Sequence, residues 1–212
     1  MDEFLRRIGP PIFFCVLILC FEIYYHRKKD DRRRERSKQQ FWDREAKANT
    51  VRRKDLTFLN YLNIPLDSLP MNDTGNEEIS EYQDTIRKLS DKRILNLGGL
   101  SNTDLKMEYG AANLPDLTEY DNNYTTLVNI LAKWGAKLIE LKLYDDAVTV
   151  LEYGISVKSD VSRNFYLLAD EYRRRNLPDK IDSLIEAAGQ LESIMKKPIL
   201  EKLAEIRSYC ES

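Results

Sequence analysis

From Leu117 onward the large apolar residues fall at steps of three and four: Leu117, Tyr120, Tyr124, Leu127, Leu131, Trp134, Leu138 and Leu141. That spacing keeps one stripe of a 3.6-residue helix apolar and predicts a single helix from about 116 to 141. Pro115 suits its first turn, and Asp116 and Glu119 lie beside the positive end of its dipole. A coiled coil could use the same stripe, but the pattern lasts under four heptads and another helix follows closely, which favours packing within the chain. Upstream, Ile79, Tyr82, Ile86 and Leu89 repeat the pattern, with Thr74 and Glu77 at capping-box spacing. Asn96, Gly98 and Gly99 then break the chain, and Ser101 with Asp104 can cap a short helix over 102–112. A last helix over 198–209, with Ile199, Leu203 and Ile206, closes the pattern.

Before these helices the text is different. Residues 55–76 carry Leu56, Phe58, Leu59, Tyr61, Leu62, Ile64, Leu66 and Leu69, broken by Pro65 and Pro70 and ending in a polar loop with Gly75. So many large apolar residues in an irregular stretch predict a strap lying on the body formed by residues 77–212. Residues 26–54 are dense in charge and lack Gly and Pro, which predicts a helical stalk. Residues 8–25 are apolar apart from Glu22 and come near the lower length limit for a transmembrane helix. A cleaved signal peptide is the rival reading, but no small-residue cleavage site follows, and the run ends in Tyr24, Tyr25 and His26. Basic residues are denser after the run than before it, so a single-pass protein is expected, N-terminus outside and body in the cytoplasm. Arginines and lysines over 27–38 could then meet anionic lipid.

Charge sharpens this division. Residues 1–54 hold 15 Lys plus Arg against 8 Asp plus Glu, net +7, whereas residues 55–212 hold 18 against 27, net −9. Acidic residues are interspersed among the arginines and the chain as a whole is not basic, so no nucleic-acid partner is expected. Three cysteines, Cys15, Cys20 and Cys210, give no disulfide framework, and His26 is the sole histidine. No Cys or His spacing suits a metal, and Gly98–Gly99 lacks the Lys-Ser or Lys-Thr of a phosphate loop. No cofactor is expected, and catalysis is not expected either.

Within the body one pattern is stated twice, 34 positions apart: Leu131, Trp134, Gly135, Leu138, Ala147, Leu151 and Gly154 are answered by Phe165, Leu168, Ala169, Tyr172, Ile181, Ile185 and Ala188. Small residues at fixed places in such a pattern let facing helices approach closely. On these residues the chain resembles the tetratricopeptide repeat family over 128–161 and 162–195. The resemblance implies an all-α array of helical hairpins with flanking helices as caps, the 198–209 helix among them. There are departures: Leu131 and Trp134 stand in reversed order, Ser159 replaces the proline that ends a repeat, and Ile181 fills a small position.

The resemblance also implies a concave groove for a peptide or helix of another protein, lined by the first helix of each hairpin. By position it would show Asn129, Ala132, Ala136 and Ile139, then Arg163, Tyr166, Asp170, Arg173 and Arg174. Ala132 and Ala136 lack the polar groups that a carboxylate clamp needs, so recognition of a C-terminal carboxylate is not expected. The sequence therefore reads as a membrane-anchored adaptor that holds a protein or peptide partner. Its alternatives are an import or assembly receptor for amphipathic targeting peptides and a membrane-bound hydrolase without a recognisable motif.

Overall fold

The computed structural model describes residues 2–210, with side chains from Leu17 onward. Among the described residues there are eight α-helices and no strand: α1 (Asp2–Asn49), α2 (Glu77–Ser90), α3 (Asn102–Tyr109), α4 (Leu114–Glu140), α5 (Tyr144–Ser156), α6 (Ser162–Arg174), α7 (Pro178–Gly189) and α8 (Lys196–Ser208). The fold is all-α. From α4 each helix packs on the next, and α4 also touches α6 as α6 touches α8. The bounds keep a fixed interval: α4, α6 and α8 end at 140, 174 and 208, α5 and α7 begin at 144 and 178, and α6 and α8 begin at 162 and 196.

The turns between these helices share one closure. Beyond α4, α5 and α6 the chain passes through Lys142, Lys158 and Asn176 at φ 61°, 61° and 54°. The next N–H then reaches back five residues: Leu143 donates to Leu138, Ser159 to Gly154 and Leu177 to Tyr172, at 2.9, 3.1 and 2.9 Å. This is the Schellman closure, which satisfies carbonyls left over at a helix end and needs a left-handed residue. Glycine is usual there, and lysine adopts that backbone only at a cost.

Two apolar interiors follow from the packing. In the first, Ile64 and Leu69 of the strap meet Ile79 and Ile86 of α2 and Leu127, Leu131, Trp134 and Leu138 of α4. In the second, Leu151 of α5 meets Phe165, Leu168 and Tyr172 of α6, Ile181 and Leu184 of α7, and Ile199, Leu203 and Ile206 of α8. The strap holds a single 3-10 turn, Leu66–Ser68. A smaller cluster places Leu56 with Leu95, Leu97, Leu105 and Leu117.

The structure corrects the sequence reading at several points. α2 is capped by Asn76, whose side chain accepts from the Ile79 N–H at 3.2 Å. Thr74 does not serve, because Gly75 at φ +67° turns the chain between it and the helix and leaves its hydroxyl buried without a partner. At α3 the reciprocal Ser101–Asp104 box is complete, but the helix stops at Tyr109. Gly110 stands at φ +91°, and a Cβ there would lie 2.4 Å from the Arg52 carbonyl oxygen. The segment after α1 crosses α3 at that point, so the predicted helix over 102–112 ends early and resumes as a 3-10 turn, Ala111–Asn113. Asn113 is fully buried and locks the crossing, donating to the Lys54 and Tyr109 carbonyls at 2.7 and 2.8 Å and accepting from Arg53 at 2.8 Å.

The single-pass membrane reading is overturned: among the described residues no helix is long and apolar enough to cross a membrane. Side chains 8–16 of the span expected over 8–25 lie outside the described residues. From Leu17 the apolar stretch reaches only Tyr25, with Glu22 inside it, before Arg27, Lys28 and Lys29 begin a charged run. Such a charged run does not enter a hydrocarbon core unpaired. The topology and the lipid contact expected over 27–38 lose their anchor with it. Residues 17–44 of α1 are solvent-exposed throughout. The helix meets the body only near its end, where Ala48 is fully buried, Glu45 bonds to Lys106 and Thr103, and Arg44 pairs with Asp104.

Two predictions follow from the turns and the buried phenols. Lys142→Gly and Lys158→Gly should each raise unfolding free energy by about 0.5–1 kcal/mol in urea titrations, the left-handed penalty exceeding glycine's greater unfolded freedom. Asn176→Gly should gain less, because asparagine tolerates that backbone. The second concerns alkali. Burial pushes the Tyr124 and Tyr172 hydroxyls above the ordinary phenol range, and burial lifts Tyr153 to about 12. The folded state therefore holds protons that the unfolded chain releases near pH 10, so stability is full below about pH 10 and falls as pH rises above it. Urea midpoints measured alongside tyrosinate absorbance should show these phenols ionising together with unfolding.

Candidate functional site

The residues of the 34-position pattern form the seams between helices. Trp134, Leu131, Leu138, Leu151, Phe165, Leu168, Ala169, Ala147, Ala188 and Ile181 are all at most 1% exposed, Tyr172 is at 4%, and Ile185 is half-buried. At Gly135 a Cβ would lie 2.5 Å from Leu151 Cδ2, so α4 and α5 cross at a point where only hydrogen fits. At Gly154 a Cβ would meet Asn164 Nδ2 at 2.6 Å. Asn164 is fully buried and donates to Ser159 Oγ, which also accepts from the Val161 N–H. Ser159 thus replaces a proline with a polar turn into α6.

These seams set α4, α6 and α8 side by side, and the residues expected to line a groove divide between different tasks. Asn129 donates to its own helix at the Thr125 carbonyl. Ala132 is buried, and half-buried Ile139 packs against both interiors, which takes these two out of any open surface. Arg174 lies 3.6 Å above the Tyr144 ring and pairs with Glu171, and Arg175 reaches Asp145, so both tie α6 to the start of α5. The Tyr144 hydroxyl, as Arg174's hydrogen-bond partner, holds that guanidinium's pKa above its ordinary range. Arg163 is exposed, and Tyr166 is half-buried with its hydroxyl donating to the Pro198 carbonyl at 3.3 Å, a link from α6 to α8.

Asp170 and Arg173 remain, and they line a cleft of about 320 Å³ with Lys202, Ile206 and Tyr209. Asp170 pairs with Arg173 at 3.5 Å on the α6 wall, and Lys202 pairs with Glu205 at 2.9 Å on the α8 wall. The two charges of the second pair hold each other: Lys202 keeps Glu205 below the usual carboxylate range, and Glu205 keeps Lys202 above the usual amine range. The cleft therefore offers both signs of charge on its rim and Ile206 and the Tyr209 ring between them. Sequence reasoning missed the α8 wall by reading the helix over 198–209 only as a cap. The available signal was that Lys202 lies 34 positions after Leu168.

Among the described residues no group of three or more His, Cys, Asp and Glu could hold a metal ion. The small positions give a sharp test. Gly135→Ala and Gly154→Ala should each lower stability by about 1–2 kcal/mol, because overpacking outweighs the gain in helix propensity. Gly189→Ala, where a Cβ meets nothing within 4 Å, should instead gain up to about 1 kcal/mol. Urea unfolding of the three variants checks both signs. In comparisons with known proteins, no family model, no curated protein and no solved structure matches this chain.

Proposed function

We propose that this chain is a non-catalytic adaptor of the tetratricopeptide type, which holds a peptide or helix of another protein in the cleft between α6 and α8. The observation that carries the reading is the interval of 34 residues kept by the helix bounds through α4, α6 and α8. Support comes also from the order of packing, each helix on the next and every second one in contact, and from the close crossings at Gly135 and Gly154. In such an array the first helix of each hairpin, here α4 and α6 with α8 next in the series, forms one wall, and a ligand lies across it.

The cleft's chemistry fits a peptide better than a small apolar molecule. Its rim pairs Asp170 with Arg173 and Lys202 with Glu205, all solvent-accessible, and such pairs exchange partners at little cost. A ligand side chain of either charge can replace one member, while Ile206 and Tyr209 receive an apolar or aromatic group. Tyr209 is suited to this because an aromatic ring contributes contact area at low entropic cost.

The test is affinity capture on the immobilised full chain, wild type against Arg173→Glu/Lys202→Glu. A partner bound through this cleft should be retained by the wild type and reduced about tenfold or more by the double variant, with circular dichroism unchanged. Equal retention by both proteins would remove the reading. Tyr166→Ala is a poorer probe, since its hydroxyl joins α6 to α8 and its loss would also loosen the wall.

A further inference from the structure

A second cleft, of about 370 Å³, lies away from the groove, where the segment after α1 passes Arg93 and the start of α4. It is lined by Arg53, Lys54, Asp55, Arg93, Asp116 and Tyr120 among others. Its two carboxylates are already engaged. Asp55 accepts from the Thr57 N–H and hydroxyl at 2.9 and 2.6 Å, and Asp116 pairs with Arg53 at 3.2 Å. Arg53 is further fixed by buried Asn113. Among the described residues, neither Arg93 nor Lys54 has a carboxylate within ion-pair distance.

Arg93 is held in place without being neutralised. Its guanidinium lies 5.4 Å from the Tyr61 ring centre and 5.9 Å from that of Tyr120, and it donates to the Tyr120 hydroxyl at 3.3 Å. The two rings stand edge to face at 5.6 Å, and the Tyr61 hydroxyl is tied to the Leu56 carbonyl at 2.7 Å. The backbone at Arg93 is fixed as well, because buried Asn123 donates to its carbonyl at 3.0 Å. Arg93 is exposed, the two rings flank its guanidinium with no carboxylate in its fork, and a pre-organised fork loses little entropy when it takes a carboxylate or phosphate.

We propose that this cleft binds a small ligand through its oxyanion, a carboxylate or a phosphate, which Arg93 takes in its fork with Lys54 as the second cation. Both cations are exposed and open to a ligand, and neither forms an ion pair although Arg93 acts at longer range on Asp55. The volume exceeds a bare phosphate and lies within the range of small-molecule sites, so the ligand carries more than its anionic group. The proposal is independent of the α6–α8 groove.

The probes are inorganic phosphate and acetate, titrated into the full chain at constant ionic strength and followed by amide chemical shifts. Saturable shifts at residues 53–57, 93 and 120 are expected with at least one probe, weakened about tenfold in Arg93→Gln and about threefold in Lys54→Gln. Lys137→Gln, which removes a cation paired with Glu78 and Glu140 elsewhere, should leave them unchanged. Response to phosphate alone or to acetate alone assigns the class of oxyanion and supports the site. Absence of saturation with both, or equal response in Arg93→Gln with its spectrum otherwise native, overturns it.

Discussion

The close crossing of α4 over α5 at Gly135 is the constraint on which the body depends. Leu151 reaches into the space where a side chain on α4 would stand, and Leu151 itself belongs to the second interior with Phe165, Leu168 and Ile181. One leucine therefore seals the first hairpin and begins the core of the next. A larger residue at 135 would push α5 outward, and α6 would move with it because Gly154 brings Asn164 equally close. Packing at interior density transmits such a displacement instead of absorbing it. The spacing of the walls on either side of the α6–α8 cleft is thus fixed two helices away.

Much of this was legible in the sequence because it rests on periodicity and residue size. Steps of three and four placed α2 and α4, and the recurrence of small residues placed the crossings at Gly135 and Gly154. What was illegible rests on contacts between distant segments. Gly110 reads as a helix breaker only when Arg52 is seen to cross it, and Asn113 reads as a surface amide until it is found holding Lys54 and Tyr109. The groove was misjudged for a related reason. A repeat alignment assigns Arg174 to the open face, yet the ring of Tyr144, the first residue of α5, claims it at 3.6 Å. The apolar run over 8–25 also led to an anchor that the structure does not support, since among the described residues no helix is long and apolar enough to cross a membrane.

The third helix of the series, α8, shows how the same substitutions close the apolar interior and charge one wall of the cleft. At successive intervals of 34, Gly135, Ala169 and Leu203 occupy one position and Trp134, Leu168 and Lys202 the next. In α4 and α6 a facing helix comes close, so the first position must be small and the second is buried and apolar. In α8 both requirements are reversed. Leu203 is fully buried and fills with its own side chain the room that a crossing helix takes elsewhere, while Lys202 turns outward to Glu205. A buried lysine without a partner at that position would be costly, whereas an exposed one costs almost nothing and brings charge to the rim. The departure from the repeat that ends its apolar interior is therefore the same departure that gives the cleft its α8 wall.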